Sequence, residues 1–299
     1  MSKNITKGVF LVGLGAASFG MLATFVKLSY TQGYTTAEVT SSQIIIGLLG
    51  MFFINLFNKK KKGDNYVQPT KKIMLHLIIA GTSIGFTSVF YYLSVVYIPV
   101  SIAIVLLMQT VWIGVVLEAI LTKTFPSLRK IIAVIIVLTG TVLATNILDN
   151  TAMPDWRGIV LGLIASVAFT TTMFASNRIA LQLSSSQRSF FTLIGGAVVV
   201  LSFAAISWTG NYNFDIFYKW GLFLAVFGTI IPPLLLNAGF PHTGIGLGSI
   251  VSSLELPVSV TMAFLILDEK VSSVQWLGIF LIIAAVVLMN IKLRKQRRK

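Results

Sequence analysis

Ten stretches of about 20 mostly apolar residues follow one another along the chain, and they leave room for little else. A helix of that length rises through about 30 Å, the thickness of the hydrocarbon core of a bilayer. Because a helix satisfies its backbone hydrogen bonds internally, the pattern predicts an all-α integral membrane protein. The predicted spans are approximately Gly8–Tyr30, Ala37–Phe57, Ile73–Val95, Pro99–Leu121, Leu128–Leu148, Trp156–Leu181, Ser189–Trp208, Phe217–Phe240, Gly244–Leu267 and Val274–Ile291.

Composition argues against a soluble protein of this length. The 299 residues are 56% hydrophobic and only 11% charged, which is too little charge to cover a surface that faces water. The chain has no cysteine and two histidines, so it offers neither thiolate ligands nor a histidine-based metal centre. We therefore expect no cofactor.

The net charge of +14 lies in short connectors and a C-terminal tail. When the spans alternate from a cytoplasmic N-terminus, 19 of the 23 lysines and arginines fall on the inner side. This bias predicts a multi-pass protein of the plasma membrane, the inner membrane of a bacterium, with both termini in the cytoplasm. It also indicates that the basic residues set the topology and contact lipid headgroups, and that the chain does not bind nucleic acid.

The two halves of the chain resemble each other. An offset of 150 residues aligns Gly8 with Gly158 and Phe19 with Phe169, and an offset of 146 aligns the dipeptide "IV" at 104–105 with that at 250–251. Five helices per half is an odd number, so the second half enters the membrane with the opposite polarity. The sequence predicts two inverted five-helix repeats, residues 1–148 and 149–299, the second carrying the basic tail.

Glu255 lies in the middle of the ninth span, in "SIVSSLELPVSVTMAFLILDEK" at 249–270. A charge at that depth costs at least about 2.5–3.5 kcal/mol if it faces lipid, so we expect it to face protein or a wet cavity. A continuous helix would place Ser252, Glu255 and Ser259 on one face. Pro257 cannot donate to the carbonyl of Ser253, which would leave that acceptor beside the carboxylate. The alternative is a protonated structural residue that is hydrogen-bonded to a neighbouring helix.

Four further polar or aromatic residues are candidates for the same site. Under the 146-residue offset Gln109 is the counterpart of Glu255, and Trp112 shares its helix face. The same offset aligns Tyr91 with Asn237. An amide and an indole can orient a ligand opposite a carboxylate, although such residues also serve as interhelical hydrogen-bonding groups.

Other charged residues are interpreted as structural. Glu118 lies near the inner boundary, where it would reach the headgroups or pair with Lys123. Lys27 would extend to the outer interface along its own stem. Asp268, Glu269 and Lys270 would form an outer turn at the end of the ninth span.

Two segments resemble the EamA-type branch of the drug/metabolite transporter superfamily. They are "GLGAASFGMLATFVK" at 13–27 and "SIVSSLELPVSVTMAFLILDEKVSSVQWLG" at 249–278. The chain departs from the family pattern at Gln43 (usually Arg), Val111 (Pro), Lys123 (Glu) and Asp268 (Gly). The resemblance covers nearly the whole chain, and it implies transport of small metabolites such as amino acids, mostly outward and without ATP hydrolysis.

The resulting hypothesis is an exporter of a small polar metabolite that works by alternating access, with its site between the halves near the midplane. Its partners would be the small-molecule substrate, the lipid bilayer and, if transport is coupled, protons. Glu255 would pair with a substrate cation or take up the coupling proton, and a homodimer is left open. The alternative is a membrane enzyme or sensor that does not transport. It would need a catalytic pair such as Glu118 and His76, since the GxxxxGK[ST], HExxH and GxSxG motifs are absent.

Overall fold

The computed structural model describes residues 4–63, 67–98, 100–145, 155–208 and 210–296. Within these ranges the regular elements are helices and no strand occurs. The α-helices are α1 Ile5–Thr31, α2 Thr36–Lys62, α3 Lys71–Tyr97, α4 Val100–Leu107, α5 Thr110–Thr122, α6 Leu128–Ala144, α7 Trp156–Arg178, α8 Ser185–Ile206, α9 Ile216–Lys219, α10 Gly221–Ala225, α11 Ile231–Thr243, α12 Ile245–Ser252, α13 Glu255–Ile266 and α14 Ser273–Gln296.

Several long helices begin at a side chain that accepts a hydrogen bond from a backbone N–H of the first turn. Thr35 and Ser184 form complete capping boxes with Glu38 and Gln187, respectively. Such caps satisfy donors that the first turn of a helix leaves unpaired. Single caps of this kind are formed by Asn4, Thr70, Ser127 and Asp155.

The prediction of an all-α membrane protein is confirmed. Eight helical segments are long and apolar enough to cross a bilayer by length and composition. The other two predicted spans correspond to α6, of 17 residues, and to the apolar part of α14, Ser273–Met289. Large apolar side chains such as Phe10, Phe57 and Phe280 are 65–72% exposed on the outside of the bundle, as a surface that faces lipid requires.

Glycines allow pairs of helices to pack backbone against backbone. A Cβ atom on Gly81 of α3 would overlap the main chain of Thr192 in α8, and one on Gly195 of α8 would overlap that of Ile78. Gly140 of α6 and Gly278 of α14 meet in the same way. Small residues at crossings are the usual means of close helix packing in membranes, where the lipid is as apolar as the side chains.

The two ends of the bundle are identified by α1. Along α1, Gly13 packs near Leu254, Gly20 packs near the carbonyl of Glu255, and Lys27 bonds to Glu269, so α13 runs parallel to α1. The helix α14 follows α13 and runs back along α6. We call the end where α1 begins the terminal end, and the opposite end the Lys27 end.

Two of the predicted continuous spans are broken in the middle. The fourth span consists of α4 and α5, separated at Met108 and Gln109. The ninth consists of α12 and α13, separated at Ser253 and Leu254, so Glu255 opens a new helix. The expectation of one helix through Ser252 and Ser259 is therefore wrong.

The carbonyl of Ser253 is satisfied at this break. Pro257 has no N–H to offer it, but the N–H of Leu256 donates to it at 3.2 Å, one residue earlier than in a regular α-helix. The break between α4 and α5 has the same form without a proline, since the N–H of Val111 donates to the carbonyl of Met108 at 3.0 Å. The expectation of a freed acceptor beside Glu255 is corrected accordingly.

The breaks also correct the register between the halves. The helices α4 and α12 begin and end 145 residues apart, and so do the starts of α5 and α13. Lys123 and Asp268, which end this part of each half, both have φ of 52° and are also 145 residues apart. The counterpart of Glu255 is therefore Thr110 and not Gln109. The predicted boundary between residues 148 and 149 lies outside the described residues.

The eighth predicted span also departs from a single regular helix. It contains α10, a π-helical segment Val226–Ile230 and α11, which has Pro232 and Pro233 in its first turn. The prolines remove two backbone donors, and the hydroxyl of Ser18 in α1 donates to the carbonyl of Phe227 at 2.9 Å.

We predict that Lys123→Gly stabilises the protein by about 1 kcal/mol, because a left-handed conformation strains any side chain with a Cβ. Asp268→Gly should stabilise the protein by less, since aspartate tolerates the left-handed conformation better than lysine does. Both side chains are exposed, so little else is lost. Denaturant unfolding in detergent would measure the two changes, and a destabilised Lys123→Gly protein would contradict the prediction.

Candidate functional site

A cavity of about 440 Å³ lies between the two halves of the chain, and we call it the central cavity. From the first half, residues of α1, α2, α3, α4 and α6 line it. From the second half, its walls come from α7, α8, α11, α13, α14 and the segment that joins the last two. A volume of this size is typical of a pocket for a small molecule.

The central cavity extends mainly toward one end of the bundle, although on α7 its lining reaches Ala175 and Ser176, near the opposite end. On α1 its lining residues run from Phe19 to Tyr30, and none precedes Phe19 although the helix begins at Ile5. On the far side of the bundle it extends to Lys270, Val271 and Gln275, at the Lys27 end. Much of the half of the bundle at the terminal end is filled by packed side chains, among them Val12, Val111, Phe240 and Ile250, which are fully buried.

Glu255 lines the central cavity, as the sequence predicts. Its carboxylate has no hydrogen bond or ion pair with any residue that the structure describes. The alternative interpretation, a carboxyl group bonded to a neighbouring helix, finds no partner among these residues. A carboxylate at this depth that has no partner among the described residues is available to a ligand or to a proton.

Gly20 of α1 fixes the position of Glu255. A Cβ atom at Gly20 would overlap the carbonyl oxygen of Glu255 and would lie 2.8 Å from the Cβ of Val258. The two helices therefore meet through main-chain atoms at the first turn of α13. Since α1 belongs to the first half, this contact places the carboxylate at the boundary between the halves.

The structure brings Tyr91 and Asn237 to the same cavity as Glu255. Tyr91 lies in α3, and its hydroxyl has no hydrogen-bond partner among the described residues. Asn237 lies in α11, where its side-chain amide donates to the hydroxyl of Ser189 at 2.9 Å. These three residues form the part of the predicted site that the fold assembles.

The other three predicted site residues do not line the central cavity. Ser252 is buried and donates to the carbonyl of Gly248 at 3.0 Å, and the break after it interrupts the helical register between Ser252 and Glu255. The amide of Gln109 donates to the carbonyl of Val105 at 2.9 Å and accepts from the indole of Trp112 at 2.8 Å. Trp112 is 41% exposed on the outside of α5.

Aromatic residues that the sequence analysis passed over form much of the wall. Tyr92 contacts Tyr91 and Tyr30, with ring centroids 5.7 and 6.5 Å apart. Phe19 meets Phe169 edge to face at 6.2 Å, and the 150-residue offset had aligned these two residues. The consecutive tyrosines in "FYYLS" were the available sequence signal.

Two polar side chains of the first half add to the cavity wall. Gln43 of α2, at the position where the family pattern has arginine, lines it. Thr24 of α1 lies one turn beyond Gly20, and its buried hydroxyl has no hydrogen-bond partner in the described part of the chain. The Gln43 amide has no hydrogen-bond partner among the described residues, so it can bond to a ligand, whereas the Thr24 hydroxyl is itself buried.

The Lys27 end carries an ion pair that the sequence analysis did not foresee. Lys27 of α1 bonds to Glu269, and both residues line the mouth of the central cavity together with Lys270. Lys27 does not simply extend to the interface, because it joins the first half to the second. Both side chains are substantially exposed, so the pair adds at most about 1 kcal/mol to stability.

Arg188 is a buried charge on the side of the cavity toward the terminal end. Its guanidinium group donates to the carbonyls of Ala175, Ser176 and Ile179 at the C-terminal end of α7. It also donates at 2.7 Å to the carbonyl of Asn237, which Pro241 leaves without its helical donor. In the sequence Arg188 is one of the 19 basic residues on the predicted inner side, and the proline four residues after Asn237 was the available signal for its structural role.

The residues of the enzyme alternative are not brought together. Glu118 of α5 bonds to Lys130 of α6, so the expected partner Lys123 is wrong. Lys130 lies in the first turn of the next helix and is near in space, whereas Lys123 ends α5 in a left-handed conformation and forms no ion pair with Glu118. His76 is exposed on α3 and has no hydrogen-bond partner among the described residues.

Comparisons with known proteins agree with this architecture. The model of the EamA-like transporter family matches residues 6–146 and again residues 156–291, which is one match for each half. One crystal structure superposes with a TM-score of 0.79 at 13% identity, over 96% of this chain and 98% of the other, and shows a shared fold. No curated protein sequence matches. The chain is a multi-pass membrane protein that belongs to the EamA-like transporter family.

Proposed function

We propose that this chain is a secondary transporter that exports a small polar metabolite across the plasma membrane by alternating access. Glu255 is the group that pairs with the substrate or takes up a coupling proton. The observation that carries the proposal is a carboxylate that has no partner among the described residues, at the boundary between the two halves and facing a cavity that both halves line. Carriers built from inverted repeats place their sites in this position.

The basic residues support an orientation of the bundle in the membrane. With 19 of the 23 lysines and arginines on one side, the terminal end lies in the cytoplasm and the Lys27 end faces outward. The central cavity then corresponds to the outward-facing side of the cycle. An exporter in this state has delivered its substrate and is available to take up protons from outside.

The inverted repeat indicates how the opposite state is formed. Near the terminal end, Gly114 of α5 packs against Ser249 of α12, and the Ser249 hydroxyl donates to the carbonyl of Val111 at 3.1 Å. In the 145-residue register Gly114 corresponds to Ser259 of α13, and Ser249 corresponds to Ile104 of α4. The equivalent contact in the opposite state therefore joins Ser259 and Ile104. Both of these residues line the central cavity in the structure. In the inward-facing state, α4 and α13 pack as α5 and α12 do here.

A cysteine pair would test this exchange of contacts. The chain has no native cysteine, so Ile104→Cys combined with Ser259→Cys introduces the only thiols. We expect oxidation to cross-link the pair, substrate to accelerate the cross-link, and flux to fall in proportion to the cross-linked fraction until a reductant restores it. The single variants are the controls. Normal flux from fully cross-linked protein would contradict the mechanism.

The transport function itself is tested by flux in proteoliposomes. Pools of labelled amino acids, amines and other small metabolites are loaded, and efflux is followed with and without an imposed proton gradient. We expect efflux of at least one pool above that of protein-free liposomes, and a proton gradient accelerates it if protons are coupled. Efflux equal to the protein-free level for every pool, from protein that is folded by circular dichroism, would contradict the proposal.

A further inference from the structure

We propose that the ligand of the central cavity is an organic monocation, an ammonium group on an aromatic or branched apolar body, in preference to a zwitterionic amino acid. This inference rests on the proposed transport function and narrows its substrate class. It follows from the placement of the charged residues along the cavity and from the composition of the wall.

Four charged residues among those described line the cavity, and only one of them lies deep. Glu255 is level with Gly20 of α1. Lys27 is seven residues farther along that helix, about 10 Å away at 1.5 Å per residue, and it is already paired with Glu269. Lys270 follows Glu269 at the same end. Among the described residues, the deep part of the cavity therefore holds one carboxyl group and no accessible cationic side chain.

Arg188 does not supply the missing cation. It lies on the other side of Asn237 and does not line the cavity. Its Nε, Nη1 and Nη2 atoms all donate to backbone carbonyls, and the residue is 2% exposed. A ligand carboxylate would have to displace these bonds in order to reach it.

This arrangement discriminates between amines and amino acids. The ammonium group of either ligand can pair with Glu255. An amino acid would at the same time hold its own carboxylate in the deep cavity, close to Glu255 and without a cation. A desolvated and unpaired charge of this kind is costly, and repulsion from Glu255 adds to the cost. An amine has no such group.

The walls suit the rest of such a ligand. Phe19, Phe169, Tyr91 and Tyr92 present aromatic surface on several sides of the cavity, with Tyr30 nearer the mouth. Aromatic faces attract cations and also bury apolar ligand surface. The cavity volume of about 440 Å³ accommodates one ring system with a short chain.

Three matched pairs of ligands would test the inference: tryptamine with free tryptophan, phenethylamine with free phenylalanine, and isoamylamine with free leucine. Each pair shares its apolar body and differs by one carboxylate. Binding to the full-length protein in detergent is measured by calorimetry for the wild type, for Glu255→Gln and for the control Glu118→Gln. Glu118 is a carboxylate outside the cavity, so its variant should bind as the wild type does.

We expect at least one amine to bind the wild type at least about tenfold more tightly than its amino acid. We also expect Glu255→Gln to weaken the binding of that amine by at least about tenfold, because one member of a desolvated charge pair is removed. The inference is overturned if no amine binds, if an amino acid binds as tightly as its amine, or if Glu255→Gln leaves amine binding unchanged.

Flux separates this inference from the proposed function. If amine binding depends on Glu255 but no ligand shows flux in proteoliposomes, the proposed transport function is refuted and the inference about the ligand class stands. Flux of free amino acids in preference to their amines would retain transport and refute the ligand class.

Discussion

Glu255→Gln is expected to reduce substrate flux by about two orders of magnitude without unfolding the protein. Removing one member of a desolvated charge pair costs about 2–5 kcal/mol, and each 1.4 kcal/mol is a factor of ten. Glutamine keeps the size of the side chain and two hydrogen-bonding atoms, and the carboxylate has no partner among the described residues that could be left unpaired. Packing against Gly20 involves the main chain of residue 255 and is retained.

The measurement is initial flux in proteoliposomes, with Glu118→Gln and His76→Ala as controls. Both controls are expected to transport as the wild type does, since neither residue lines the central cavity. Wild-type flux in folded Glu255→Gln protein would remove Glu255 from the mechanism. Equal losses in the Glu118 or His76 variant would favour the enzyme or sensor alternative.

Counterflow separates the two roles of Glu255. With unlabelled substrate on one side, labelled substrate on the other and no proton gradient, exchange requires binding but no net proton movement. If Glu255 only couples protons, Glu255→Gln retains this exchange and loses acceleration by a gradient. If it pairs with the substrate, the variant loses both activities.

Arg188→Met is expected to cause the largest loss of stability, about 2–4 kcal/mol. Hydrogen bonds from a charged donor contribute about 1.5–3 kcal/mol each, and methionine removes those to α7 and to Asn237 together. Methionine also removes the cost of burying a charge, and this offsets part of the summed loss of hydrogen bonds. Arg188→Lys should also lose stability, because an ammonium group cannot span acceptors on α7 and α11 as the planar guanidinium does. The loss should be somewhat smaller than for Arg188→Met, since lysine keeps a charged donor.

Arg178→Met provides the matched control for this prediction. Arg178 lies ten residues earlier at the end of α7, carries the same charge, is exposed and has no partner among the described residues. Its replacement should change stability by less than about 0.5 kcal/mol. Denaturant unfolding in detergent measures all three variants. Equal stability of Arg188→Met and Arg178→Met would show that the buried hydrogen bonds of Arg188 contribute nothing.

Part of the candidate site was accessible from the sequence. A carboxylate in the middle of an apolar span is conspicuous, and Glu255 was identified on that ground, whereas Tyr91 and Asn237 were paired by the 146-residue offset. Ser252, Gln109 and Trp112 were selected by helical periodicity and by an offset of 146. These three residues do not line the cavity, because the helices break in the middle of the fourth and ninth spans and because the offset between the halves is 145 and not 146.

The sequence by itself determined the class of protein, the helical spans and the existence of two related halves. Each of these depends on quantities summed over 20 or more residues, such as apolar length and repeated spacing, and errors at single positions average out. Only the tertiary structure decided where helices break, which carbonyl receives which donor, and that Lys27 pairs with Glu269 and Lys130 with Glu118. These outcomes depend on contacts between residues that are distant in the chain. In an apolar environment each polar group must find its partner there, and neither periodicity nor composition records which one it finds.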